Sequence, residues 1–274
     1  MEWSKLKNII ILMLAAVNVM LLVLVLSRQW ESRSYSENAR EDAVAILWET
    51  GRIRVERDAL PDEMDLPVLT VTRDPELELR QAEALLGALS GEPSSMRYEG
   101  ERGTAQFYAN GGFSAELEAG ACPIGDKAPA AYAVDLLAGM EFEAQVLEVR
   151  EQGESTFVTV RQLWQGEPVF DCTATLVFEE GELRRIQEDV SRRLVGEPQS
   201  GGVERTYTVA TMLMRFMDYV ISNGRVCNEI DAFAPGYILE SQSEPARLVP
   251  AWRVETDQGD YYWNAVTGEI RTAS

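Results

Sequence analysis

Histidine is absent from this 274-residue chain. That one absence removes every Ser–His–Asp triad, every Cys–His dyad and every His-ligated metal centre. Cysteine is scarce: Cys122, Cys172 and Cys227 stand far apart, too few for a disulfide-rich scaffold or a zinc site of four thiolates. Either one pair bridges and leaves an odd thiol, or, more simply, all three are free and buried as small hydrophobes. Positive charge is scarce too, with 25 Lys plus Arg against 45 Asp plus Glu and a net charge of −20. Phosphate binding rests on clustered positive charge, so no nucleic-acid partner is expected. Beyond the N-terminal apolar segment Lys127 is the only lysine, and no motif supports a Ser–Lys dyad around it. Phosphate-cradling GxxxxGK, dinucleotide-type GxGxxG and nucleophile-elbow GxSxG patterns are all missing.

Carboxylates are abundant, but their adjacency says little. Glu41-Asp42, Glu141 with Glu143, and Glu179-Glu180 read as solvated faces and turns. An acid–base pair needs a shared cleft and separated pKa values, which spacing does not supply. The Asp257–Asp260 stretch lacks the alternating calcium-loop pattern. The expectation is a protein that is not an enzyme, with no cofactor and no metal.

What the chain does have is a long apolar run. Residues 9–26 (IIILMLAAVNVMLLVLVL) carry no charge, and Asn18 is their one strongly polar member. As a helix the run reaches about 27 Å, close to the ~30 Å of a bilayer's hydrocarbon core. Trp3 and Trp30 flank it and would sit in opposite headgroup layers, with Lys5 and Lys7 as further interface anchors. A cleaved signal would be shorter and would end in a small-x-small site; this run ends in Ser27-Arg28-Gln29-Trp30. An uncleaved single-pass anchor is the favoured reading. Lys5 and Lys7 before the span nearly balance Arg28 and Arg33 after it, so basic residues alone do not orient it. Ile11, Ala15, Asn18 and Leu22 share one helix face. They are the candidate transmembrane contacts, since small residues allow close approach and an Asn hydrogen-bonds a neighbouring helix; the alternative is a lone anchor that tolerates one Asn.

The rest of the chain alternates helical and strand patterns. A short N-terminus (1–8), the anchor (9–26) and a stalk (27–34) lead into three α+β units at 35–121, 122–198 and 199–274. Ser34-x-x-Glu37 is a capping box opening a helix with Tyr35, Ala39, Ala43, Ile46 and Leu47 on one face and Gly51 at its end. Strands follow at 53–55 and 68–72. Asp74-Pro75 starts a second helix with Leu79, Ala82, Leu85, Leu86 and Leu89 inward. Three short strands run from 96 to 117, with a turn at Asn110-Gly111-Gly112. A helix at 129–137 precedes a meander at about 142–150, 157–164, 169–178 and 183–195, by turn and alternation signals. Phe170, Cys172, Ala174, Leu176 and Phe178 alternate with Asp171, Thr173 and Thr175, as in a sheet with one buried face, with Val177 the exception. Breaker-rich 196–202 separates a last helix, opened by Thr206 or Thr208 and striped by Met212, Leu213, Phe216, Met217 and Val220. Strands at 226–230, 237–240, 248–255 and 261–264 close the chain. The segments from Gly166 to Leu183 and from Leu248 to Ile270 parallel one another weakly, as a repeated helix plus antiparallel β-meander would.

Trp252, Tyr261, Tyr262 and Trp263 form the ectodomain contact candidates. Alternation puts Tyr261 and Trp263 on one face and Tyr262 on the other. One set is core; the other is a contact surface, or Tyr262 merely covers a sheet edge.

Two stretches carry a family likeness. Met1-Glu2-Trp3-Ser4-Lys5-Leu6-Lys7 directly before an apolar span containing Asn18 resembles the YycI-type regulatory proteins of Gram-positive bacteria. Leu248-Val249-Pro250-Ala251-Trp252-Arg253-Val254 through Tyr261–Ile270 is similar to the end of the YycH/YycI domain and to PepSY-like modules. The likeness covers the anchor and the last 70 residues best. It implies a single-pass protein of the cell membrane, with a cytoplasmic N-terminus and an extracytoplasmic PepSY-like domain. Its partners would be the lipid bilayer, the transmembrane helices of a WalK (YycG) sensor histidine kinase and a YycH-like paralogue, and its role would be to tune a two-component system for cell-wall metabolism. The alternative is a PepSY-like ligand-binding or protease-inhibiting module on a passive anchor. The strong acidity and the preference for Arg over Lys depart from a typical member.

Overall fold

The computed structural model describes residues 13–14, 17–22, 35–56, 59–61, 64–91, 95–187, 190–202, 204–241 and 245–272. It is a mixed α+β fold in which a few helices cover a large sheet. Helix α1 (35–46) passes into a π-helical turn, Leu47–Gly51, closed by Arg52 in the left-handed conformation. Then come β1 (Arg54–Val55), β2 (Leu69–Val71), α2 (Pro75–Leu86), β3 (Arg97–Gly100), β4 (Gly103–Phe107), β5 (Phe113–Leu117) and α3 (Pro129–Gly139). The meander is β6 (Ala144–Gln152), β7 (Ser155–Trp164), β8 (Glu167–Glu179) and β9 (Glu182–Ile186). After β10 (Pro198–Ser200), α4 (Val209–Ser222) leads into β11 (Glu229–Glu240), β12 (Ala246–Thr256), β13 (Gly259–Asn264) and β14 (Ile270–Thr272).

The strands run in the order β10-β2-β12-β11-β8-β9-β5-β4-β3, with the β6–β7 hairpin on β8, β13–β14 on β12 and β1 beside the start of β11. Two halves meet at β8 and β11, which pair in parallel at Tyr237 and Val169. On one half α2 and α3 cover a core that includes Leu85, Phe107, Phe113, Phe142 and Leu176. On the other, α1 and α4 cover a core that includes Leu47, Phe216, Trp252 and Trp263. A smaller cluster, with Val169, Cys172, Tyr237 and Leu248, lies where the halves join.

Local chemistry explains the helix starts. The Asp74 carboxylate accepts a hydrogen bond from the Glu76 amide at 2.9 Å, and Pro75 fills the first helical position, where its missing N–H costs nothing. The Thr208 hydroxyl accepts from the Thr211 amide at 3.3 Å. On α4 every residue of the expected stripe is buried, joined by Val209 and Ala210, each large side chain contributing about 1.5–3 kcal/mol.

Several expectations are corrected. Leu79 is 39% exposed; Leu77, Glu78 and Gln81 face inward instead. Tyr35 and Ile46 are likewise exposed. Strand β8 is buried on both faces from Ala174 to Phe178, so Thr175 and Val177 are interior: a central strand has no solvated side to enforce alternation. The expected strand at 183–195 ends at Ile186. The strands expected at 226–230 and 237–240 are one strand, β11, running through Pro235 and Gly236, with Val226 outside it and exposed. Gly236 is where β8 crosses closest: a Cβ there would sit 2.6 Å from Phe170 Cζ and from the Pro168 carbonyl.

Polar groups behind α2 are the largest buried departure from apolar packing. Glu78 and Arg193 are fully buried and paired at 3.1 Å. Arg73 grips the same carboxylate with two hydrogen bonds, at 3.1 and 2.6 Å. The Arg193 guanidinium lies 4.5 Å from the Phe107 ring centroid. Burial pulls its pKa down to about 10, with Glu78 acting against the shift.

Candidate functional site

No helix among the described residues is long and apolar enough to cross a membrane. Most of the apolar run lies outside them, as do Trp3, Lys5, Lys7, Ile11, Ala15, Trp30 and the Ser34 cap. Residues 13–14 and 17–22 are helical, with Asn18 and Leu22 among them. Their apolar side chains are uncovered, from 54% exposed at Val17 to 70% at Met13. The described chain places nothing against them.

The next helix behaves in the opposite way. Through Ala43 and Leu47, with Ala39 and Val44 beside them, α1 and its π-turn enter the core formed by α4, β11, β12 and β13. A π-turn inserts an extra residue and redirects the side chains that follow, which is why such turns recur at functional sites. Here it turns Leu47 into the core and leaves the neighbouring Trp48 48% exposed, with the Arg52 guanidinium 5.6 Å from the indole centroid. Trp48 lines a groove of about 670 Å³ together with Val44, Ile53, Val55 and Leu60, a volume in the range of small-ligand and side-chain pockets. Arg40 donates to the Pro61 carbonyl at 2.6 Å and fixes one wall; Glu37 and Glu41 edge the groove with negative charge. One signal in the sequence could have found Trp48: it is an apolar residue immediately off the 39–43–47 stripe, where a helix facing water carries a polar one.

The aromatic quartet divides as alternation requires. Tyr261 and Trp263 are buried with Trp252 in the core. Trp252 lies 4.9 Å from Phe233, Tyr261 5.4 Å from Phe216, and Trp263 5.9 Å from Tyr219. These three rings pack inside the chain rather than on its surface. Tyr262 is half-buried on the opposite face, 5.2 Å from Phe170. Its hydroxyl donates to Asp260 at 3.2 Å and accepts from Arg161 at 3.4 Å. Burial pushes the phenol's pKa up, and Arg161 opposes that shift. Of the four, Tyr262 alone retains exposed surface.

The remaining reactive groups are engaged or muted. All three cysteines are free and buried. Burial pushes the Cys172 thiol well above its ordinary pKa and the Cys227 thiol to about 11, so neither is a thiolate near neutrality. The Lys127 ammonium donates to Asp135 at 2.6 Å, and Glu141 is held by Arg80 at 2.8 Å. Among the described residues no group of three or more His, Cys, Asp or Glu converges on a metal position.

Fold and site together define a class: a mixed α+β chain whose helix-covered sheet follows an uncovered apolar helix. No family model and no curated protein matches the chain. Among solved structures it is similar to the Bacillus megaterium YpeB C-terminal domain, at 9% identity and a TM-score of 0.38, over 74% of this chain and 99% of that one.

Proposed function

We propose that the protein is a membrane-anchored, non-enzymatic regulator of a WalK (YycG) type sensor histidine kinase. Residues 9–26 pack beside the kinase's transmembrane helices, and the extracytoplasmic domain engages a YycH-like paralogue. The family likeness of Trp3-Ser4-Lys5 before the apolar run supplies the partner. The observation that carries the mechanism is the contrast between two helical stretches: the apolar side chains of 13–14 and 17–22 are uncovered, whereas α1 is built into the core through Ala43 and Leu47. A displacement of α1 is therefore delivered to α4 and β12. Regulation then requires only that the anchor favour one kinase state over the other. A difference of about 1–3 kcal/mol shifts activity roughly 5–150-fold.

The groove beside Trp48 favours a second reading, a ligand-binding or protease-inhibiting module on a passive anchor. Exchange of residues 9–26 for an unrelated single-pass helix separates the two. Under the first reading kinase regulation and co-purification of the kinase from membranes are lost. Retention of both after the exchange would overturn it.

A further inference from the structure

The half of the molecule covered by α2 and α3 holds another cleft. It opens beside α2, between the end of β7 and the 194–198 segment, with a volume of about 460 Å³. Gln81 of α2 lines it and is 2% exposed, and its side-chain oxygen has no hydrogen-bond partner. This contrasts with Glu78, one turn earlier on the same buried face, whose carboxylate is gripped by Arg73 and Arg193. It contrasts also with Gln162 across the cleft, whose oxygen accepts from the Leu194 amide at 2.9 Å. A buried acceptor without a donor destabilises the fold that keeps it, so the cleft asks for a donor from outside.

The surroundings say which kind of donor. Leu77, Leu163, Trp164 and Leu194 supply apolar wall, which suits a hydrocarbon stem. The rim carries Glu143 and Glu197, both exposed. Arg80, the cation of this lining, is tied to Glu141 by two hydrogen bonds. A group that donates N–H bonds, is positively charged and rides on an apolar stem meets all three conditions.

We infer that this cleft binds an alkylammonium group, the side chain of a lysine presented by a partner peptide, with the ammonium donating to the Gln81 oxygen and the stem lying along Trp164. The site does not depend on the anchor or on kinase regulation, and its failure would leave that reading standing.

The test uses the full chain in a neutral detergent, titrated by calorimetry with two probes, n-pentylammonium and the tripeptide acetyl-Ala-Lys-Ala-amide. Saturable binding that weakens with salt and is absent for 1-pentanol is expected, with the tripeptide binding tighter. Tighter binding by the free amine would reassign the site from a peptide to a small amine and overturn the peptide assignment. Gln81→Leu is expected to lose at least ten-fold in affinity without any fall in thermal midpoint, because it removes an unpaired buried acceptor. Gln81→Glu, which adds charge at the same shape, is expected to bind tighter. No saturable binding to the wild type, equal binding by Gln81→Leu, or weaker binding by Gln81→Glu would each overturn the proposal. So would a marked loss of stability in Gln81→Leu, since it would show that the oxygen is satisfied within the fold.

Discussion

The carboxylate of Asp171 on β8 accepts a hydrogen bond from the Leu239 amide on β11 at 2.8 Å, across 68 positions of sequence. It sits beside the one parallel pairing, Tyr237 with Val169, that joins the two halves of the sheet. Its other oxygen accepts from Arg192 at 3.0 Å, and Arg271 of β14 lies 3.7 Å away. One side chain thus links the central strands of both halves to the 190–195 segment and to the last strand. A junction with so little direct strand pairing relies on such side-chain bridges and on the small apolar cluster around Val169 and Leu248.

Asp171→Ala is therefore expected to destabilise the protein by about 2–4 kcal/mol, the loss of charge-assisted bonds plus an unpaired Leu239 amide. Asp171→Asn, which keeps an acceptor, loses less. Denaturant unfolding of both variants measures this. Hydrogen exchange at the Leu239 amide should rise in the alanine variant before global unfolding does; unchanged protection there would show that the apolar cluster alone holds the halves together.

The Glu78–Arg193 pair makes a different prediction. Both partners are fully buried, so removing either leaves a desolvated charge. Arg193→Met and Glu78→Leu should each cost about 3–5 kcal/mol, and the double variant less than either sum predicts. A double-mutant cycle by chemical denaturation gives the coupling. Strict additivity would mean that Arg73 alone satisfies Glu78.

How much of this was legible before the fold was known depends on the range of the cause. The starts of α2 and α4 were legible because Asp74, Pro75 and Thr208 act within three residues of themselves. That Tyr261 and Trp263 share a face opposite Tyr262 followed from strand parity; that their face is the core one did not. The expected strands at 226–230 and 237–240 left out Pro235-Gly236, because the reason for Gly236, the passage of Phe170 and Pro168 at 2.6 Å, is a contact with a strand more than sixty residues away. Glu78 and Gln81 are absent from the inward face expected of α2 for the same cause: a polar residue belongs on a buried helix face only if a partner such as Arg193 arrives, and the arrival is tertiary. The apolar run at 9–26 is plain in the sequence, whereas the groove at Trp48 depends on a π-turn that no residue pattern near Leu47 announces.

Acid should loosen the contact that ties the start of β11 to the turn between β12 and β13. Asp257 accepts from the Asn228 side chain at 2.7 Å and from the Asn228 amide at 3.1 Å. These bonds, led by the Asn228 side chain, hold its carboxyl down to about 2, below the ~3.9 of an unfolded aspartate. A depressed carboxylate stabilises the fold fully above about pH 4, and that contribution disappears as pH falls through about 2. The stability difference between wild type and Asp257→Asn should therefore be constant from pH 7 to 5 and shrink between pH 4 and 2. A difference that does not change with pH would remove the carboxylate from the account.

Trp48 offers the sharpest separation of folding from binding. The indole is half in solvent while its neighbour Leu47 is fully buried, so the two adjacent residues should behave as opposites. Leu47→Ala is expected to cost about 2–5 kcal/mol, as a core truncation. Trp48→Ala should cost well under that, within about 1 kcal/mol, the usual range for a surface change away from special features. If the groove is where a partner docks, a Trp at its wall is the residue type that anchors interfaces, and its truncation should weaken capture by about 2 kcal/mol or roughly thirty-fold. Thermal unfolding of the two variants, with capture of the proposed kinase partner from solubilised membranes in parallel, reads both quantities. A Trp48→Ala protein that folds and captures the proposed kinase partner as the wild type does would relegate the groove to a gap in packing.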